Sequence, residues 1–137
     1  MQQVKIYTDG ACKGNPGKGG WAALLIAGDA RKEISGGRTY TTNNEMELMA
    51  IVEAMEAMKY SDKEVYVTIF TDSKLAIGWI TGDYKMKKPH IVDLVTYIRE
   101  LASTKSIKMS FQHVKGHNGD PLNERVDYLA SQAAERS

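Results

Sequence analysis

Ile6-Tyr7-Thr8-Asp9-Gly10 and Ile69-Phe70-Thr71-Asp72-Ser73 follow one pattern. Each is a short run of β-branched and aromatic residues that reads as a buried strand. Each run closes on an aspartate followed at once by a small residue. In open α/β sheets, sites form just beyond the carboxyl ends of strands. Two aspartates set this way on neighbouring strands would lie close together. A strand-end aspartate also caps turns and helices, so the repetition of the pattern, rather than either copy, carries the functional reading.

Working outward, Val4–Thr8 is the first strand. Gly10 through Gly20 holds five glycines and a proline and reads as a turn or hairpin loop. Trp21–Ile26 reads as a second strand, and Lys32–Tyr40 as a third, broken near Gly36-Gly37. Short loops between them favour an antiparallel meander. Thr42 followed three residues later by Glu45 is a capping box, and a long helix is expected from there to about Met58. Val65–Thr71 is a mostly apolar strand suited to a sheet centre. Ser73–Ile80 and Ile91–Ala102 read as helices and Ile107–His113 as a strand. Pro121 suits the first turn of a last helix running to about Glu135. The order βββαβααβα predicts a mixed sheet with helices packed against it.

On the helix after Thr42, Glu47 points among Ala50, Ile51, Ala54, Met55 and Met58, the stripe that must face the sheet. Glu45, Glu53, Glu56 and Lys59 lie on the far side. A buried carboxylate needs either an ion-pair partner or a metal ion. Asp127 sits at the margin of a stripe formed by Leu122, Val126, Ala130 and Ala133, and by itself reads as a boundary residue. Repeated carboxylates without a Cys or His cluster suit a hard, oxygen-seeking ion such as Mg²⁺ or Mn²⁺ and not zinc. A pair of such ions ~4 Å apart can serve in-line phosphoryl transfer. Clustered negative charges are otherwise destabilising.

The 137 residues are the size of one ordinary domain, and 42% hydrophobic content supports a core without disulfides. A single cysteine, Cys12, fits a reducing compartment. No stretch approaches the ~18 apolar residues of a membrane span. A soluble, cytoplasmic protein is expected. With 18 basic and 17 acidic residues the net charge is +1, so a polyanion partner would have to be met by local segregation of charge.

Five blocks together resemble type 1 ribonuclease H. They are Tyr7-Thr8-Asp9-Gly10-Ala11-Cys12 through Gly14-Asn15-Pro16-Gly17; Thr41-Thr42-Asn43-Asn44-Glu45-Met46-Glu47-Leu48-Met49-Ala50; Thr71-Asp72-Ser73; Val114-Lys115-Gly116-His117; and Asn123-Glu124-Arg125-Val126-Asp127. They stand in the family's order across nearly the whole chain. The resemblance implies a ribonuclease H-like α/β fold, with a five-stranded mixed sheet of three antiparallel and two parallel strands flanked by helices. It implies metal-dependent endonucleolytic hydrolysis of the RNA strand of RNA–DNA hybrids, leaving 5′-phosphate and 3′-hydroxyl ends. Asp9, Glu47, Asp72 and Asp127 match the family's carboxylates for two Mg²⁺ ions, for which Mn²⁺ can substitute. His117, between two glycines of a loop, matches the histidine that assists turnover. Cys12, Gly14, Asn15, Asn43 and Asn44 match contacts to ribose in the minor groove, and Thr42 matches a contact to a DNA-strand phosphate. The asparagines also suit a helix's first turn. His113 and His90 read as ordinary strand-end and loop residues.

Two departures accompany the resemblance. Tyr40 stands where many members have an arginine beside the phosphate pocket. The Gly82-Asp83-Tyr84-Lys85-Met86-Lys87-Lys88-Pro89-His90 segment is short, where many bacterial members carry a basic handle. Its lysines can touch phosphates or simply face solvent. The expected partner is an RNA–DNA hybrid, with no membrane and no obligatory protein partner, and the chain is expected to be a monomer. An inactive binding module on the same fold, or a nuclease for another substrate, are the competing readings.

Overall fold

The structure is a computed structural model and describes residues 2–59, 62–115 and 119–137. Its elements run β1 (Gln2–Lys13), β2 (Gly17–Ala27), β3 (Ala30–Thr41), α1 (Asn43–Ala57), β4 (Val65–Thr71), α2 (Lys74–Thr81), α3 (Pro89–Thr104), β5 (Ile107–His113) and α4 (Pro121–Arg136). One five-stranded sheet forms in the order β3-β2-β1-β4-β5. The β1–β2 and β2–β3 pairs are antiparallel, and the β1–β4 and β4–β5 pairs are parallel. This is the mixed sheet and the element order that the hydrophobic pattern predicts.

Two details differ from the sequence reading. The glycine-rich stretch is mostly strand, with β1 continuing to Lys13 and β2 starting at Gly17. Its glycines answer to packing more than to turning. A Cβ on Gly20 would stand 2.2 Å from the Ala130 carbonyl oxygen, so α4 lies directly on the β2 backbone there. Likewise β3 runs unbroken through Gly36, where a Cβ would meet the Trp21 ring at 2.6 Å. Pattern rules treat glycine as punctuation, but a missing side chain also admits a neighbour.

Strand alternation sends side chains to two cores. Val4, Ile6, Val67 and Ile69 pack under α1 and α3 with Leu48, Ile51, Val52, Met55, Val95 and Ile98. Tyr7, Ala22 and Leu24 face α4 through Val126 and Ala130. Tyr7 stacks on Phe70 with ring centroids 4.4 Å apart. Helix α1 is buried more widely than its predicted stripe, since Met46, Leu48 and Val52 are buried as well. It lies between the sheet and α3, so a second face is covered. The buried stripe of α4 is Asn123, Val126, Ala130 and Ala134, shifted by one residue at its ends from the expected one. Both ends of α1 are capped from elsewhere in the chain. Lys105, 4% exposed, donates from Nζ to the Met55 and Glu56 carbonyls at 3.0 Å and also to Met58. These carbonyls end the helix, where the intrahelical ladder runs out of donors; the Met55 carbonyl also accepts the Met58 N–H at 3.3 Å.

Candidate active site

The site forms where the parallel ladder ends. β1 pairs with β4 only as far as Tyr7 opposite Phe70, then continues alongside β2 with Asp9 opposite Ala22. Asp9 therefore lies inside β1, not at its end as the sequence pattern suggests. The strand gains its extra length from antiparallel pairing that extends beyond the parallel partner. Seen from β4, however, Asp9 is just past the last shared rung, and Asp72 follows the last residue of β4. Both aspartates open onto one crevice beyond the carboxyl ends of the parallel strands.

Helix α1 is brought onto this crevice by Gly10. A Cβ there would stand 2.5 Å from the Glu47 nitrogen and 2.6 Å from the Met46 carbonyl carbon. The missing side chain lets the helix backbone rest on β1, which sets Glu47 beside Asp9. Carboxylate oxygens of Asp9, Glu47 and Asp72 lie within 4.8 Å of one another. Asp127, half-buried on α4, stands outside that three-residue group, although its charge is felt at Asp9.

The electrostatics follow from this crowding. Asp9 is 5% exposed and Glu47 8%. Burial, then the Asp72 charge, pushes the Asp9 carboxyl up to about 7, while a hydrogen bond from Glu47 and the Gly10 N–H at 2.9 Å pull it down. Burial, then Asp9 and Asp72, pushes Glu47 well above the usual carboxylate range. A side-chain hydrogen bond joins Glu47 and Asp9, raising the Glu47 carboxyl and lowering that of Asp9. Among the described residues Glu47 Oε2 is buried with no hydrogen-bond partner. An all-oxygen donor set with an orphaned buried oxygen and more negative charge than it can hold ionised fits a hard divalent cation.

Around the crevice, the β1–β2 turn docks on the start of α1. Asn15 Oδ1 accepts the Asn43 N–H at 3.0 Å, so the turn satisfies one of the free N–H groups at the start of α1. Thr42 is the N-cap, and its hydroxyl accepts the Glu45 N–H at 3.3 Å. The reciprocal half of the capping box is absent, because Glu45 instead accepts from Thr41 Oγ1 at 2.8 Å and Arg38 at 3.1 Å. Cys12 Sγ donates to the Thr41 carbonyl at 3.3 Å, tying β1 to the end of β3. Gly14, with φ +82°, makes the turn itself. Asn15, Thr42 and Asn44 line a cleft of about 530 Å³ together with Trp79, Tyr84, Lys85, Lys87 and Lys88. Cys12, Gly14 and Asn43 do not line it. The sequence reading passed over Trp79, whose only signal was an aromatic on α2 outside that helix's buried set. Tyr40 is 73% exposed. His117 lies outside the described residues.

The family model for RNase H matches residues 1–135. The ribonuclease H of Polaromonas sp. (strain JS666) is 45% identical over 148 aligned positions, which cover 98% of this chain and 90% of that relative. The ribonuclease H of Novosphingobium aromaticivorans is 46% identical, with 98% of each chain covered. Among solved structures, RNase H1 from the halophilic archaeon Halobacterium salinarum superposes with a TM-score of 0.83 at 28% identity, covering 98% of this chain and 99% of that one. LC11-RNase H1, solved in complex with RNA/DNA hybrid, superposes with a TM-score of 0.81 at 28% identity over 97% of both chains. The alignment to the Polaromonas relative is longer than the 137 residues here, so that relative carries residues this chain lacks.

Proposed function

The chain belongs to the ribonuclease H family, and from that premise we propose that it is a metal-dependent endonuclease that hydrolyses the RNA strand of RNA–DNA hybrids, leaving 5′-phosphate and 3′-hydroxyl ends. The observation that carries the chemistry is the convergence of Asp9, Glu47 and Asp72 within 4.8 Å, with one buried oxygen of Glu47 lacking a partner. In this reading those three residues and Asp127 hold Mg²⁺, with Mn²⁺ as a substitute. Two divalent ions bound there would supply Lewis acidity and a water of lowered pKa for in-line displacement at phosphorus. Asp9 and Glu47 contribute fixed negative oxygens once both are ionised. Burial under α1 keeps these two carboxylates in place before substrate arrives, so little reorganisation is needed in the reaction. His117, by its match to the family's histidine, is assigned proton transfer or product release.

Asn15, Thr42 and Asn44 supply short polar groups at the mouth of the cleft, suited to a ribose 2′-hydroxyl or a phosphate. Cys12, Gly14 and Asn43 belong to the same turn-and-helix junction. Lys85, Lys87 and Lys88 line the same cleft and offer charge to the second strand. The hybrid complex of LC11-RNase H1, of like fold, supports a hybrid as the substrate. The family match from residue 1 to 135 supports one domain. No helix among the described residues is long and apolar enough to cross a membrane. The free thiol of Cys12 suits the cytoplasm, and a monomer is the simplest acting unit.

The deciding assay compares RNA–DNA hybrid, double-stranded RNA and single-stranded RNA, each with Mg²⁺ and with chelator. Cleavage confined to the hybrid and to Mg²⁺ is expected. Binding of hybrid without any cutting in Mg²⁺ or Mn²⁺ would make the chain a binding module instead.

A further inference from the structure

Asp72 is the carboxylate that regular structure fixes least. It follows β4 and precedes Ser73, the N-cap of α2. In a helical ladder its carbonyl would take the Ala76 N–H, but the Ser73 hydroxyl takes that N–H at 3.1 Å. The cap thereby displaces the Asp72 carbonyl from the helix. His113, the last residue of β5, brings Nε2 to 3.2 Å from that same carbonyl oxygen. A carbonyl can only accept, so Nε2 carries the hydrogen and donates. The imidazole comes from a strand end that is itself anchored: His113 is in register with Thr71, and the Val114 N–H donates to the Thr71 carbonyl at 2.9 Å. The ring is half-buried, which protects the bond from competition by water.

We infer that His113 is a positioning residue for Asp72. Its Nε2–H holds the carbonyl at the junction of β4 and α2, and so fixes the direction in which the carboxylate leaves the backbone toward Asp9 and Glu47. The inference rests on the reading of Asp72 as a metal ligand. Partners that orient a ligand without touching the metal typically alter metal affinity or activity by about 10–100-fold.

The test measures Mn²⁺ binding by calorimetry without substrate, alongside kcat and KM on hybrid, for the intact chain carrying His113→Ala, His113→Gln, His113→Asn or Asp72→Asn. His113→Ala should weaken Mn²⁺ binding and lower kcat by about 10-fold each, with KM for hybrid unchanged. The glutamine amide nitrogen stands as many bonds from Cα as Nε2 does, so His113→Gln should recover most of the loss. The asparagine amide is one bond shorter, and His113→Asn should not recover it. Wild-type behaviour in His113→Ala, or a glutamine variant no better than the asparagine one, overturns the inference. Should the alanine variant fail to fold, the Gln-against-Asn comparison decides by itself. An Asp72→Asn variant that still binds Mn²⁺ and cleaves hybrid overturns the metal reading of Asp72, and the inference with it. If Asp72→Asn is inactive while the His113 variants match wild type, the inference alone falls.

Discussion

Asp9, its carboxyl pushed up to about 7 by burial and by Asp72, makes the stability of the metal-free protein depend on pH. In the unfolded chain an aspartate titrates near ~3.9. Between those two values the folded chain holds a proton that unfolding releases, so rising pH favours unfolding. The contribution is fully present below about pH 4 and is lost as pH climbs through about 7. At ~1.4 kcal/mol per unit, it amounts to a few kcal/mol. Melting of the chelated protein should therefore show Asp9→Asn stabilised relative to wild type at pH 8 and nearly level with it at pH 4. Added Mg²⁺ should raise the Tm of the wild type more at pH 8 than at pH 5 and leave the variant's Tm almost unmoved. Equal Mg²⁺ responses in both would remove Asp9 from the metal site. The same variant, and Asp72→Asn, should lose hybrid cleavage while staying folded. At this scale the sequence was most informative where a charge stood on a face that had to be buried, as at Glu47. It was least informative at Asp127, whose surroundings on α4 resemble any helix boundary, and at His113, whose contact with Asp72 exists only once β4 and β5 are paired.

At the scale of elements, the glycines show how one residue type can mislead a pattern reading and still decide the architecture. Gly10 reads as turn punctuation, yet it lies within β1 and seats α1 against the strand. Gly10→Ala would drive a methyl group into the Glu47 and Met46 backbone. The expected cost is about 1–3 kcal/mol of overpacking, with a larger proportional fall in kcat than a surface substitution gives, because Glu47 moves with the helix. Urea unfolding and steady-state kinetics on the same variant check both parts. Strand and helix identities were legible wherever a local periodicity of 2 or 3.6 residues carried them, but not through the glycines, where β1 runs on to Lys13, β2 starts at Gly17 and β3 is unbroken. The caps on α1 were only partly legible. Thr42 announced its own role, but Asn15 and Lys105 reach the helix from 28 and 47 residues away, and no local pattern encodes that. Lys105→Met keeps most of the side-chain bulk and removes the donor. It should lower stability by about 2–3 kcal/mol and leave kcat unchanged at temperatures where the protein is folded. A chemical-denaturation midpoint equal to wild type would show those carbonyls to be satisfied without it.

Across the whole molecule, a net charge of +1 conceals two opposed fields. Carboxylates crowd the crevice beyond β1 and β4, while Lys85, Lys87 and Lys88 line a cleft together with Trp79 and Tyr84. Composition gave no hint of a polyanion partner, because a sum cannot register separation. The lysines themselves were visible in the sequence, but the cleft they share with Asn15, Thr42 and Asn44 depends on how α2 and α3 pack against α1. If the carboxylate end handles the strand to be cut, the lysine-lined cleft is placed to steady the other strand. Each phosphate neutralised releases counterions, so binding should weaken with salt along a slope set by the number of contacts, about 0.7–0.9 per phosphate. Replacing Lys85, Lys87 and Lys88 together by alanine should weaken hybrid binding at low salt and flatten that slope by up to about 2–3, with little effect on kcat at saturating hybrid. Fluorescence anisotropy over a salt series, in Ca²⁺ or chelator to suppress cleavage, reads both quantities. Parallel slopes for variant and wild type would mean that the lysines face only water and that the second strand is held elsewhere.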